Sequence, residues 1–158
     1  MLRKVALEIL KKSFLEVMQT LNVSLHPHPT PLTQGYLASI KLNDTTIYIL
    51  ASTPLLTLLA QNLLFEDNPD AATLQDMTKE LANLIVGKAK VLSQEKGQTA
   101  SISTPLFCGQ ISQDIAQDAA QNIAQDSVAS ELASEFQALP ALHFGLDDNP
   151  ACSIFMKG

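Results

Sequence analysis

Apolar residues recur every three to four positions in three segments of the chain, and this period is typical of amphipathic helices. Residues 5–21 form the first segment. The second covers residues 55–65 and follows Thr53-Pro54, which we interpret as an N-cap residue with proline at the first helical position. The third is expected to begin near Asp70 and to end at about Glu95, where Lys96-Gly97 provides a stop signal. The pattern therefore predicts helices in these three segments.

Shorter apolar runs between turn residues predict β-strands. Residues 34–41 and 45–51 flank Asn43-Asp44, a pair that tolerates the left-handed backbone of a tight hairpin. A further strand is expected over residues 98–107, with Cys108-Gly109 turning the chain after it. A last hairpin would join residues 143–144 to residues 152–156 through the turn residues 147–150. Residues 26–31 contain three prolines and are expected to form a stiff loop, because proline lacks an amide hydrogen and restricts the residue before it.

The length of 158 residues fits one domain with a single core, so we predict one α/β (α+β) domain over residues 1–158. Residues 111–140 differ from the remainder because they are rich in Gln, Ala and Asp, and we interpret them as an insert. Within the insert, residues 113–126 repeat a pattern of four residues. This repeat favours a partly exposed helix, while its thin apolar stripe would also suit a flexible polar segment.

Charge and hydropathy exclude several classes of function. The net charge is −6, and residues 111–140 contain five acidic residues and no Lys or Arg, so the remainder is close to neutral. The chain lacks the clustered basic stripe of a nucleic-acid-binding protein. Its apolar runs are much shorter than the roughly 20 residues that cross a membrane, and charged residues interrupt any leader sequence at the start. With two distant cysteines expected to be reduced, these features predict a soluble, cytoplasmic protein without a nucleic-acid partner or membrane insertion.

One polar face of the third predicted helix is the strongest candidate for a functional site. Successive helical residues are about 100° apart, which places Asp76, Glu80, Asn83 and Gly87 within an arc of roughly 60°. That arc lies opposite an apolar stripe that we assign to the core, formed by Leu74, Met77, Leu81, Leu84, Ile85 and Leu92. Periodicity alone favours ordinary solvated residues, with Gly87 accommodating local packing, because exposed polar residues are the norm. A mid-helix glycine costs about 1 kcal/mol relative to alanine, however, and is easier to understand if a partner approaches the backbone closely.

The sequence of this helix resembles a known signature. Residues 76–83 read Asp-Met-Thr-Lys-Glu-Leu-Ala-Asn, and residues 84–90 continue Leu-Ile-Val-Gly-Lys-Ala-Lys. The run is similar to the motif of the CheC, CheX and FliY family of chemotaxis phosphatases, and its single copy resembles CheX most. Residues 16–19 read Glu-Val-Met-Gln and match the motif only in part, and we interpret them as ordinary helix surface. The resemblance implies a CheC/CheX-like fold, a mainly antiparallel sheet with two long helices on one face.

The same resemblance implies a function. Members of the family dephosphorylate the acyl-phosphate of a CheY-like response-regulator receiver domain in chemotaxis or two-component signalling. The receiver supplies Mg²⁺, so this chain would need no cofactor of its own. Asn83 would orient the attacking water and Glu80 would pair with a lysine of the receiver, with Gly87 in the partner-binding surface. Asp76 would extend this contact, or serve only as a carboxylate favoured near a helix start.

The resemblance leaves one alternative function and suggests an assembly. The alternative is a non-catalytic response-regulator-binding adaptor or flagellar-switch-like module that docks through the same helix. The resemblance also implies a homodimer, because members of the family pair through their sheets. Residues 151–156 would provide an apolar strand edge for this pairing. His26 and His28 have no third ligand at a recognisable spacing, and His143 is isolated in the sequence, so we predict no metal site.

Overall fold

The computed structural model describes residues 2–111 and 135–158. The helices of this part of the chain are α1 (Leu2–Thr20), α2 (Thr53–Leu64) and α3 (Ala71–Glu95), with a short 3₁₀-helix at Phe136–Ala138. The strands are β1 (His26–Pro27), β2 (Gly35–Leu42), β3 (Thr45–Ala51), β4 (Leu106–Ile111), β5 (Ala141–Leu146) and β6 (Asn149–Lys157). The three predicted helices are confirmed to within three residues at each end. The helix predicted at residues 113–126 lies outside the described residues, and none of the helices described is long and apolar enough to cross a membrane.

The six strands form one sheet in the order β1-β5-β6-β3-β2-β4, and each neighbouring pair is antiparallel. Successive residues of a strand point to opposite faces of the sheet. On one face, side chains such as Ile40, Ile49 and Ile154 form the main core with all three helices. On the other face, Leu50 and Phe155 belong to a smaller apolar cluster. The predicted fold class, a mainly antiparallel sheet with two long helices on one face, is confirmed.

The position of β6 corrects one expectation. This strand pairs with β3 along one edge and with β5 along the other, so it lies inside the sheet. Residues 151–156 are all buried. Our prediction that they provide an exposed strand edge for dimerisation is therefore wrong. Their apolar character reflects burial on both faces of a central strand.

Both predicted hairpins are confirmed, and each turn contains short polar residues with positive φ. Asn43 between β2 and β3 has φ 54°, while Asp147 and Asp148 between β5 and β6 have φ 51° and 69°. Asn and Asp tolerate this left-handed backbone better than other residues with side chains. The predicted loop at residues 26–31 differs in part, because His26–Pro27 pairs with β5 at the sheet edge. Proline is acceptable there because the outer side of an edge strand needs no amide hydrogen.

Two local predictions are wrong. The N-cap of α2 is Ser52 rather than Thr53, since the Ser52 hydroxyl accepts a hydrogen bond from the amide of Leu55 at 3.2 Å. The strand expected over residues 98–107 begins only at Leu106 and continues to Ile111, through the residues predicted to turn the chain. Opposite β2, Leu37 pairs with Gly109 and Ala38 pairs with Phe107, so Cys108 is an extra residue in a bulge. The bulge, rather than a turn, explains the glycine at position 109, whose φ is 129°.

Candidate functional site

The start of α3 is fixed by a side-chain cap. Asp70 precedes the helix in an extended conformation, and its carboxylate accepts a hydrogen bond of 2.8 Å from the amide of Thr73. This hydrogen bond is the main reason that the pKa of Asp70 is lowered. Because the cap occupies amides that a helix otherwise leaves unpaired, it fixes where α3 begins and which residues face the sheet.

The buried face of α3 matches the predicted stripe with one exception. The residues buried on this face include Leu74, Met77, Leu81, Ile85 and Leu92, as expected, together with Thr78, Ala82, Val86, Ala89 and Ser93. Leu84 is only partly buried, and it lies in the wall of a groove between α1 and α3. The core side of the helix is thus wider than the sequence pattern indicated, because both the sheet and the neighbouring helices cover it.

The opposite face of α3 presents Asp76, Glu80 and Asn83, and all three are exposed. Asp76 forms an ion pair with Lys79, with the carboxylate and ammonium 3.6 Å apart, but its side chain is 77% exposed and such a pair stabilises a helix only weakly. Within the described residues, the side chains of Glu80 and Asn83 form no hydrogen bond or ion pair. We call the surface formed by Asp76, Glu80, Asn83 and the partly buried Gly87 the motif face. It offers an amide and a carboxylate that are free to contact a partner.

Gly87 lies on the motif face one turn after Asn83. Outside the backbone of its own helix, a Cβ atom built at this position would meet no atom of the described residues within 4 Å. Alanine would therefore fit here without displacing any neighbour among the described residues, and packing against them does not explain the glycine. A glycine at this position still lowers the stability of the helix by about 1 kcal/mol relative to alanine.

Helix α1 contacts α3 beside the motif face. The buried hydroxyl of Ser13 donates a hydrogen bond to the backbone carbonyl of Ile85. Glu16 and Lys88 form an ion pair of 3.5 Å across the two helices. A groove of about 500 Å³ lies between the helices, and Glu16 and Gln19 line it. We interpreted residues 16–19 as ordinary helix surface, and their position beside α3 could not be found from their spacing along α1 alone.

The three histidines are close together in the fold, although the sequence separates them. The amide of His28 donates to the carbonyl of His143, and the rings of His26 and His28 stack with centroids 6.4 Å apart. Burial lowers the pKa of His143, and the nearby His28 contributes a smaller lowering. In residues 2–111 and 135–158, no group of three or more His, Cys, Asp or Glu side chains is arranged to hold a metal ion.

The two cysteines are free thiols in different surroundings. Cys152 is buried in β6, and burial raises the pKa of its thiol. A thiol that stays protonated is a poor nucleophile, so Cys152 acts as a small apolar side chain in the core. Cys108 is partly exposed in the bulge of β4.

Comparisons with known proteins bear on the family and the fold. The family model described as chemotaxis phosphatase CheX matches residues 37–134, more than half of the chain and including the whole of α3. The crystal structure of the chemotaxis protein CheX from Vibrio vulnificus is 20% identical, with a TM-score of 0.66 and 96% of each chain covered. A CheC-like superfamily protein from Shewanella sp. PV-4 is 18% identical, with a TM-score of 0.59 and 97% of each chain covered. A search of the curated proteins finds no matching sequence.

A further solved structure is the CheX-CheY-BeF3-Mg²⁺ complex from Borrelia burgdorferi, which is 17% identical, with a TM-score of 0.60 and 95% of each chain covered. At these identities the structural matches establish the fold. This fold, an antiparallel sheet backed by two long helices, is that of the CheX and CheC-like structures. The match of the family model shows that the chain belongs to the CheX chemotaxis phosphatase family.

Proposed function

We propose that this chain is a phosphatase that hydrolyses the acyl-phosphate of a CheY-like response-regulator receiver domain in the cytoplasm. The observation that carries the proposal is the motif face, where Glu80 and Asn83 are exposed, unpaired within the described residues and followed by an unobstructed Gly87. The receiver supplies the phosphoryl group and Mg²⁺, and the chain adds no cofactor of its own. The solved complex of a Borrelia burgdorferi CheX with CheY, BeF3 and Mg²⁺ supports this division of roles.

The proposed role of Asn83 is to hold the attacking water. Its amide can donate one hydrogen bond and accept another, so it can fix both the position and the orientation of a water molecule. The water oxygen would attack phosphorus opposite the aspartyl oxygen, the bond between phosphorus and that oxygen would break, and inorganic phosphate and a free carboxylate would result. Phosphoryl transfer depends mainly on positioning and on electrostatic stabilisation by the metal, which suits a residue with no titratable group.

The proposed role of Glu80 is to anchor the receiver. Its carboxylate lies one turn before Asn83 and would pair with a lysine of the receiver's active site, which sets the distance from Asn83 to phosphorus. Asp76 lies on the same face, one turn before Glu80. Because its carboxylate is already paired with Lys79, we assign it a secondary contact.

The test is to phosphorylate a candidate response regulator with a small phosphodonor and to follow the decay of its acyl-phosphate with and without the chain. Faster decay, in proportion to the amount of chain, is expected. Binding is measured in parallel by a change in fluorescence anisotropy. If the chain binds the phosphorylated regulator tightly and its decay rate stays unchanged, the phosphatase proposal fails and the alternative of a non-catalytic adaptor replaces it.

The family resemblance also leads us to propose a homodimer. The outer strands of the described sheet are β1 and β4, not the residues 151–156 first expected to pair. Sedimentation equilibrium over a range of concentrations measures the oligomeric state, and a monomer mass throughout would contradict the proposal.

Replacing Glu80 with alanine is expected to weaken docking more than chemistry. A hydrogen bond to a charged group contributes about 1.5–3 kcal/mol, so the concentration of chain that half-saturates the decay rate should rise about tenfold or more. The rate at saturation should fall much less. Glu95→Ala is the matched control, because Glu95 is an exposed carboxylate at the far end of the same helix. A saturating rate that collapses while half-saturation stays constant would contradict the anchoring role.

Replacing Gly87 with alanine is expected to change stability and activity in opposite directions. Alanine has the higher helix propensity, and its Cβ would meet no described residue outside the helix, so the free energy of unfolding should rise by about 1 kcal/mol. A methyl group on the motif face would obstruct the receiver, and the half-saturating concentration should rise about tenfold, with a larger rise for Gly87→Leu. Gln94→Ala, an exposed position on the same helix, should leave the decay rate unchanged. Equal activity of Gly87→Ala and wild type would remove Gly87 from the docking surface.

A further inference from the structure

Two polar contacts join α1 to the last turn of the motif face, residues 83–88 of α3. The hydroxyl of Ser13 bonds the carbonyl of Ile85, and Glu16 pairs with Lys88. These contacts reach α3 two residues before Gly87 and one residue after it. Glycine lowers the stability of a helix at its own position, so the segment from Asn83 to Lys88 is where α3 gains most from an external support.

Ser13 is unusual among the residues that join α1 to α3. It is completely buried, and its neighbours Leu10 and Phe14 already supply apolar packing between α1 and the core. An alanine would fit the same space, so packing alone does not require a hydroxyl there. A hydrogen bond differs from apolar packing because it is directional: it fixes the rotation of α3 and its position along its own axis relative to α1.

The ion pair between Glu16 and Lys88 is a weaker constraint. The two side chains are 39% and 41% exposed, and ion pairs at that exposure contribute little. Of the two polar contacts with the turn, the buried Ser13 hydroxyl is therefore the one that can determine geometry. The carbonyl it binds belongs to Ile85, two residues after Asn83.

We propose that Ser13 is a positioning residue for Asn83, acting through the backbone of Ile85. The inference rests on the proposed function. By fixing the turn of α3 next to the flexible Gly87, the Ser13 hydroxyl keeps the Asn83 amide at the distance and angle needed to aim the water at phosphorus. A displacement of about 1 Å can reduce a positioned reaction on the order of a hundredfold, so even a partial loss of this constraint is measurable.

The test compares Ser13→Ala with Thr78→Val under single-turnover conditions. Thr78 is the matched control: it is equally buried on α3, but its hydroxyl donates its hydrogen bond, of 2.7 Å, to the carbonyl of Leu74 within the same helix and not to α1. For Ser13→Ala, the decay rate at saturating chain should fall about tenfold, while the half-saturating concentration stays within about twofold of wild type. Thr78→Val should leave both values unchanged. Ser13→Cys keeps a weak S–H donor and should give an intermediate rate.

Amide hydrogen exchange provides a second readout that does not depend on activity. In Ser13→Ala, the amides of residues 84–88 should exchange faster, while those near the start of α3 remain as in wild type. If Ser13→Ala and Thr78→Val lower the saturating rate equally, Ser13 has a merely structural role. If Ser13→Ala changes neither the rate nor the exchange, its hydroxyl does not fix this turn of α3. Either result overturns the proposal. Should wild type fail to accelerate decay, the proposed function fails. In that case, faster exchange confined to residues 84–88 would show only that Ser13 stabilises this part of α3. The positioning role would be overturned.

Discussion

Replacing Asn83 with alanine is expected to abolish nearly all of the acceleration of acyl-phosphate decay, a loss on the order of a hundredfold or more, by analogy with removal of one positioned hydrogen-bond donor from other active sites. The physical reason is that alanine can neither donate to the attacking water nor accept from it. Folding should not suffer, because Asn83 is exposed, forms no side-chain hydrogen bond within the described residues, and has a lower helix propensity than alanine. The free energy of unfolding should stay equal or rise by a few tenths of a kcal/mol.

The measurement is the single-turnover decay rate at saturating chain, with urea unfolding of each variant as a check on folding. Asn83→Asp separates the need for an N–H donor from the need for the shape of the side chain. Aspartate keeps the shape and the acceptors of asparagine but loses the N–H donors. It also places negative charge beside the phosphoryl oxygens. It should be as inactive as Asn83→Ala. Gln75→Ala, which removes an exposed amide elsewhere on α3, should match wild type. Retention of more than half of the acceleration by Asn83→Ala would contradict the water-positioning role.

The features of α3 that the sequence predicted well are those determined by neighbours along the chain. Asp70 at the cap and Lys96-Gly97 after the last turn are local signals, and the helix begins and ends next to them. The helical period then assigned Glu80 and Asn83 to the exposed side without any knowledge of the sheet. The same holds for the hairpin turns, where Asn43 provides the positive φ that the turn requires.

What the sequence could not predict depends on pairing between distant segments. β6 is apolar whether it lies at an edge or in the middle of the sheet, and only its pairing with β3 and β5 distinguishes the two. Likewise, residues 98–105 have a strand-like composition, but Ile102 forms a single bridge with Leu42 and regular pairing starts at Leu106. Ladder register and strand order are properties of the folded chain, and a local pattern is compatible with several of them.

In the candidate site, too, local features could be predicted from the sequence and contacts between distant segments could not. Exposure of the motif face followed from periodicity, whereas its surroundings did not: Ser13 and Ile85 are 72 residues apart, and nothing in either segment indicates that one binds the other. Gly87 was ambiguous in the sequence, because a mid-helix glycine serves either internal packing or an external contact. The structure adds that no described residue outside the helix lies within 4 Å of its Cβ position, which no local sequence pattern could show.

Replacing Phe14 with alanine is expected to cause one of the largest losses of stability in the chain, about 3–5 kcal/mol. Phe14 is completely buried, and its ring stacks on Phe144 of β5 with centroids 4.0 Å apart. The substitution removes the transfer free energy of the ring, leaves a cavity between α1 and the sheet, and eliminates an aromatic pair. Domains of this size are stable by only about 5–15 kcal/mol, so the variant should unfold at a markedly lower urea concentration.

The control for this prediction is Leu106→Ala. Leu106 is also a large apolar residue, but it is 64% exposed, so its loss should cost less than about 0.5 kcal/mol. The slope of the unfolding transition should be the same in both variants, because the area exposed on unfolding barely changes. A loss below about 1 kcal/mol for Phe14→Ala would mean that α1 collapses into the cavity. In that case the contact of Ser13 with Ile85 would shift as well, and the same variant should lose activity at urea concentrations where it remains folded.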